Sequence, residues 1–122
     1  MSAATHEEQT AILNVVRGSR PWKDLSAFGV VMRLDGDRCT LDNPRHITAT
    51  VSPADLAQGF ARLHHDPTAL REWAFLVEAM DVDLAMDEHP AGEMLLEALW
   101  DASFGNPIHP KQLDAILQIA KG

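Results

Sequence analysis

Prolines set where this chain can start a helix. Pro53, Pro67, Pro90 and Pro110 each stand at the head of an apolar pattern with a helical period. At the first helical position the missing N–H of proline costs nothing, whereas in a helix interior proline breaks the ladder. Ser52-Pro53-Ala54-Asp55 adds a hydroxyl at the N-cap and a carboxylate at N3, and Asp66-Pro67 repeats the cap-and-proline start. The spacing predicts a helix from Pro53 with Leu56, Phe60 and Leu63 on one face, and a second over 67–80 burying Leu70, Trp73, Val77 and Met80. A third runs from Pro90 to Phe104, closed by Gly105-Asn106-Pro107. The last opens at Pro110 with Leu113, Ile116, Leu117 and Ala120 on one side.

The first half reads differently. Thr5-His6-Glu7-Glu8 fits a capping box, so residues 6–17 form a short helix with Ile12, Val15 and Val16 inward and Gly18 as its stop. Residues 19–26, with Pro21 and Trp22, read as a connector or a single turn. Residues 27–34 (AFGVVMRL) are rich in β-formers. Asp35-Gly36 is a hairpin dipeptide, because both central residues of a type I′ turn need positive φ. Residues 37–42 are then the return strand, and 46–51 (HITATV) a third strand beyond Asn43-Pro44. The expected fold is one α+β domain over 1–122, mostly helical: one helix, a three-stranded antiparallel meander, then four helices. Residues 81–88 read as a loop or a short edge strand.

Charge narrows the partners. The net charge is −8, with −1 on residues 1–61 and −7 on residues 62–122. Such a field repels nucleic acid and anionic membrane and draws in cationic partners; it also simply keeps a small protein soluble. No apolar run approaches the roughly 18 residues of a membrane span. A lone cysteine, Cys39, and an N-terminus without a secretory pattern point to a cytoplasmic home.

The acids concentrate between Glu72 and Pro110. That stretch holds nine carboxylates, no Lys or Arg, and Trp73, Phe75, Trp100 and Phe104. On the helix after Pro90, Leu95, Leu96, Leu99 and Ala102 form the inward stripe, while Glu93, Glu97 and Asp101 recur at i, i+4 and i+8. Like charges at i,i+4 destabilise a helix by roughly 0.2–0.5 kcal/mol per pair. Asp101 also sits where the helix dipole disfavours an anion. Folding asks for none of this, and carboxylates bordered by aromatics are what a basic protein partner needs: charge for steering, aromatic area for anchoring. The candidate protein-binding residues are Asp81, Asp83, Asp87, Glu88, Glu93, Glu97, Trp100, Asp101 and Phe104, with Trp100 at the border between core and acids.

Other chemistry has weaker signals. Counting Asp81 as the first position of a calcium loop puts Ala85, Met86 and Gly92 where an acid, a glycine and a bidentate Glu are required. None of the six histidines pairs at i,i+4 on a helix. Cys39, His46 and Asp42 are the only conceivable thiol, base and orienting acid. No cofactor is implied. The segment Gly92–Asp101 (GEMLLEALWD) is similar to one in barstar-type ribonuclease inhibitors, which are also small and acidic. The order of elements around it differs from theirs, so no functional residue is carried over.

The sequence therefore leads to a non-enzymatic protein-binding module, immunity-like or a regulatory adaptor. The alternatives are a metal-dependent or small-molecule-acting enzyme using the His and Asp/Glu around 81–89, and a structural homo-oligomer subunit. In the last, Trp100 and Phe104 are buried against a second copy, and the basic residues between Arg17 and Arg45 offer a patch for another copy's acids.

Overall fold

A computed structural model describes residues 5–35, 38–44, 49–80, 82–85 and 90–121, with the side chains of Leu34 and Cys39 left out. In chain order the elements are α1 (His6–Val16), a 3-10 helix (Trp22–Phe28), β1 (Val31–Asp35), β2 (Arg38–Asp42), β3 (Thr50–Val51), α2 (Pro53–Leu63), α3 (Pro67–Ala79), β4 (Asp83–Leu84), α4 (Gly92–Ser103) and α5 (Pro110–Lys121). The protein is mostly helical, with two small pieces of sheet.

The capping signals act where they stand in the sequence. Thr5 Oγ1 accepts from the Glu8 amide at 3.1 Å while Glu8 Oε1 accepts from the Thr5 amide at 3.2 Å, the reciprocal capping box of α1. Ser52 and Asp55 repeat it at the head of α2, and Asp66 caps α3 through the amides of Thr68 and Ala69. Pro90 does not open α4 directly. The helix begins at Gly92 behind an Ala91 N-cap whose side chain makes no capping hydrogen bond.

Two expectations are corrected. The connector at 19–26 is a seven-residue 3-10 helix that buries Leu25 and extends through Phe28, so the first strand starts only at Val31. Gly29, at φ +84°, turns the chain from one to the other. The three-stranded meander is not formed among the described residues. β1 and β2 make the antiparallel hairpin, with Met32 opposite Leu41 and Arg33 opposite Thr40. β3 instead pairs in parallel with β4, Thr50 beside Asp83 and Val51 beside Leu84. Parallel neighbours need a long crossover rather than a tight turn, and α2 and α3 supply it. The edge-strand reading of the chain near residue 83 is thereby met, with a partner that no local pattern specifies. Asp35, expected as a central turn residue, is instead the last residue of β1, opposite Arg38; Gly36 and Asp37 lie outside the described residues.

The core lies among the helices. Ile12, Leu56, Phe60, Trp73, Leu76, Leu95, Leu99 and Ile116 are fully buried, as is Val51 of the parallel pair. α3 packs along α4 and α2 along α5. Trp73 anchors three elements at once. Its indole Nε1 donates to the Val16 carbonyl at the end of α1 (3.1 Å), and its ring meets Phe60 of α2 edge-on at 4.9 Å. Gly59 lies under that indole. A Cβ there would collide with the Val16 carbonyl oxygen and the Trp73 ring, so glycine is required by close approach.

Candidate functional site

α4 carries its polar and aromatic residues on one side because its apolar residues are claimed by α3. Leu95, Ala98, Leu99 and Ala102 are buried, and Leu96 is half-buried. The opposite face holds Glu93, Glu97 and Trp100, with Phe104 continuing it at the C-cap; all four are exposed. At 100° per residue these positions fall within about 60° of arc, so they form one stripe rather than two. Trp100 and Phe104 are 57% and 56% exposed, unusual for side chains of this size. Trp100 is not at the border with the core, as the spacing suggested, but stands on the solvent face, where Phe104 accompanies it. Their rings meet edge-to-face, centroids 5.0 Å apart, which fixes each against the other without hiding either. Ser103 donates to the Trp100 carbonyl at 2.6 Å, and Gly105 at φ +78° ends the helix just past Phe104.

The remaining predicted residues divide. Asp101 is half-buried and sits on the flank of the stripe. Asp83 is exposed on β4, where its carboxylate accepts a long hydrogen bond (3.4 Å) from Thr50 Oγ1. That ties it to the strand pair rather than to α4. Asp81, Asp87 and Glu88, with His89, lie outside the described residues, as does His46. Among the described residues no group of three or more His, Cys, Asp or Glu side chains is placed to hold a metal ion.

A groove that local reasoning could not assemble lies beside the stripe. Trp100, Ser103 and Phe104 from α4 and its C-cap, Phe75, Glu78 and Ala79 from α3, and Arg38 and Thr40 from β2 line an open hollow of about 630 Å³. Phe75 and Glu78 stand at i,i+3, so one face of α3 carries both; the hairpin's contribution has no signal in the sequence. The Glu78 side chain reaches solvent, yet the protein around its carboxyl desolvates the charged form and raises its pKa. Arg71 lies over the Phe75 ring at 5.2 Å.

Two other concavities were not foreseen. One of about 410 Å³ opens between the end of α1, the 3-10 helix and α3. Its polar groups largely answer one another: Trp22 Nε1 donates to Glu72 Oε2 at 3.2 Å, Arg20 pairs with Asp24 at 3.1 Å, and Lys23 lies 5.8 Å over the Trp22 ring. The other, of about 290 Å³, is walled by His64, Leu70, Ile108 and Leu113. Burial lowers the His64 pKa, and the neighbouring His65, its ring 3.8 Å away, lowers it further.

Comparison of the chain with protein-family models, with curated proteins and with solved structures finds no match. Among the described residues no helix is long and apolar enough to cross a membrane.

Proposed function

We propose that this protein is a non-enzymatic binding module whose α4 face receives a basic segment of another protein. The observation that carries the reading is the continuity of Glu93, Glu97, Trp100 and Phe104 on one exposed face. Carboxylates alone are a solvated helix side, and two exposed aromatics alone are a packing fault; together they supply long-range attraction and a desolvating anchor on the same few turns. Glu93 gains from the N-terminal end of the α4 dipole, but Glu97 gains nothing from the helix: the two repel each other at i,i+4, and no described residue forms an ion pair with either. The uneven charge, −7 on residues 62–122, places the attractive field on the half of the chain that carries the anchor.

The reading is tested with a basic peptide such as deca-arginine, titrated at several salt concentrations against the protein and against Glu93→Lys/Glu97→Lys and Trp100→Ala. Binding that weakens steeply with salt and is lost in both variants supports it. Affinity indifferent to salt and to the double charge reversal removes it. Sizing at two protein concentrations reports whether a second copy occupies the same face.

A further inference from the structure

The groove beside α4 has the chemistry to take one cationic side chain. Trp100, Phe104 and Phe75 give it an aromatic lining, and Glu78 lines it as well. No described cation forms an ion pair with Glu78, not even Arg38, which lines the same groove. We propose that an arginine side chain of the basic partner enters this groove, stacking its guanidinium on the Trp100 indole and forking onto the Glu78 carboxylate. This rests on the reading of the α4 face as the partner surface, and it names the anchor within it.

Arginine fits better than lysine for two reasons. The guanidinium is flat and weakly hydrated, so it stacks on an indole face, and its two outer N–H groups match a carboxylate bidentately; an ammonium does neither. A groove walled by rings also favours cations through the negative face of each ring. Desolvation disfavours the Glu78 charge in the free protein, and the attraction of an incoming cation offsets that cost. Arg38, lining the same groove, opposes a second cation, which gives the proposal a signature: removing Glu78 and removing Arg38 must act in opposite directions.

The probe is the peptide acetyl-Gly-Arg-Gly-amide, followed through the indole N–H resonance of Trp100, which is assigned by its loss in Trp100→Phe. The expected result is a saturable shift of that resonance. Affinity falls about tenfold in Glu78→Gln, the size of one charge-assisted hydrogen-bond pair, and rises in Arg38→Ala. The lysine analogue binds more weakly than arginine, and the citrulline analogue, equal in shape but uncharged, does not bind. Equal affinity in Glu78→Gln, or equal binding of citrulline, overturns the groove assignment. If deca-arginine still binds with steep salt dependence through Glu93 and Glu97, that outcome leaves the α4 surface standing while the groove falls. If deca-arginine does not bind at all, both fall.

Discussion

Arg17 and Asp55 join the first helix to the second: Arg17 Nε lies 2.7 Å from Asp55 Oδ1. Asp55 does this while its other oxygen accepts from the Ser52 amide (3.1 Å), so one carboxylate both caps α2 and receives the end of α1. Its side chain is only 12% exposed. Burial opposes its charge, but the hydrogen bonds from Arg17 and Ser52 outweigh it and hold its pKa below the ordinary carboxylate range. The folded state therefore prefers the ionised form. The stability this contributes is fully present above the unfolded value of 3.8 and is lost as pH falls through the lower folded value. Asp55→Ala removes a cap and the partner of the partly exposed Arg17, and is expected to cost about 1–2 kcal/mol at neutral pH. Urea unfolding across the acid range should show that difference shrinking at the acid end.

Glu78 has the opposite sign. Its folded pKa is raised, so the contribution it makes to stability is present below the unfolded value of 4.5 and lost as pH rises through the folded value. Glu78→Gln is accordingly expected to be slightly more stable than the parent at neutral pH, and the advantage disappears in acid. Denaturation midpoints on the two sides of that range check it. A variant that gains stability while losing affinity for arginine is the mark of a residue kept for binding.

Gly59 permits the close crossing of α1, α2 and α3. Gly59→Ala drives a methyl into the Trp73 ring and the Val16 carbonyl, both of which belong to the buried core rather than to mobile surface. Overpacking of this kind costs about 1–3 kcal/mol, occasionally more. Trp73→Phe removes the hydrogen bond to Val16 and is expected to cost about 1–3 kcal/mol. The two sites share a contact, so the double variant should fall short of the sum, as a double-mutant cycle by chemical denaturation will show.

Glu97→Lys separates folding from binding on α4 itself. The change replaces a repulsive i,i+4 pair with an attractive Glu93–Lys pair, in the favourable orientation, and should stabilise by a few tenths of a kcal/mol. Binding to deca-arginine should weaken by severalfold at low salt. A thermal melt and a titration on the same sample report both effects.

Trp100→Ala and Phe104→Ala are expected to change stability by about 1 kcal/mol or less each, because more than half of each side chain already faces water. Truncation of Leu99, which is fully buried on the same helix, should cost about 2–5 kcal/mol. Equal losses at all three positions would mean that the aromatics are structural.

Much of the helical frame is legible residue by residue. Thr5 with Glu8, Ser52-Pro53 with Asp55, and Asp66-Pro67 each announce a helix start, and Gly105 announces a stop, because capping is satisfied within a few residues of the cap. The inward stripe of α4 follows from its period in the same way. The paired strands were less legible. Asp35-Gly36 marks a hairpin because its partners are adjacent, whereas Thr50–Val51 finds Asp83–Leu84 only after two helices have been laid down. A two-residue strand carries no period from which to read a partner.

The candidate site divides along the same line. That Glu93, Glu97, Trp100 and Phe104 share a helix is written in their spacing, and so is the absence of basic residues between Glu72 and Pro110. That the two aromatics stand more than half in solvent was decided by α3, which packs against the other side of α4. That Glu78 and Arg38 line one groove was decided by where the hairpin comes to rest against α3 and α4. Local order along a helix needs only short-range hydrogen bonds and a period. The depth and walls of a groove depend on which surfaces remain after the apolar faces have found one another, and only the packed chain determines that.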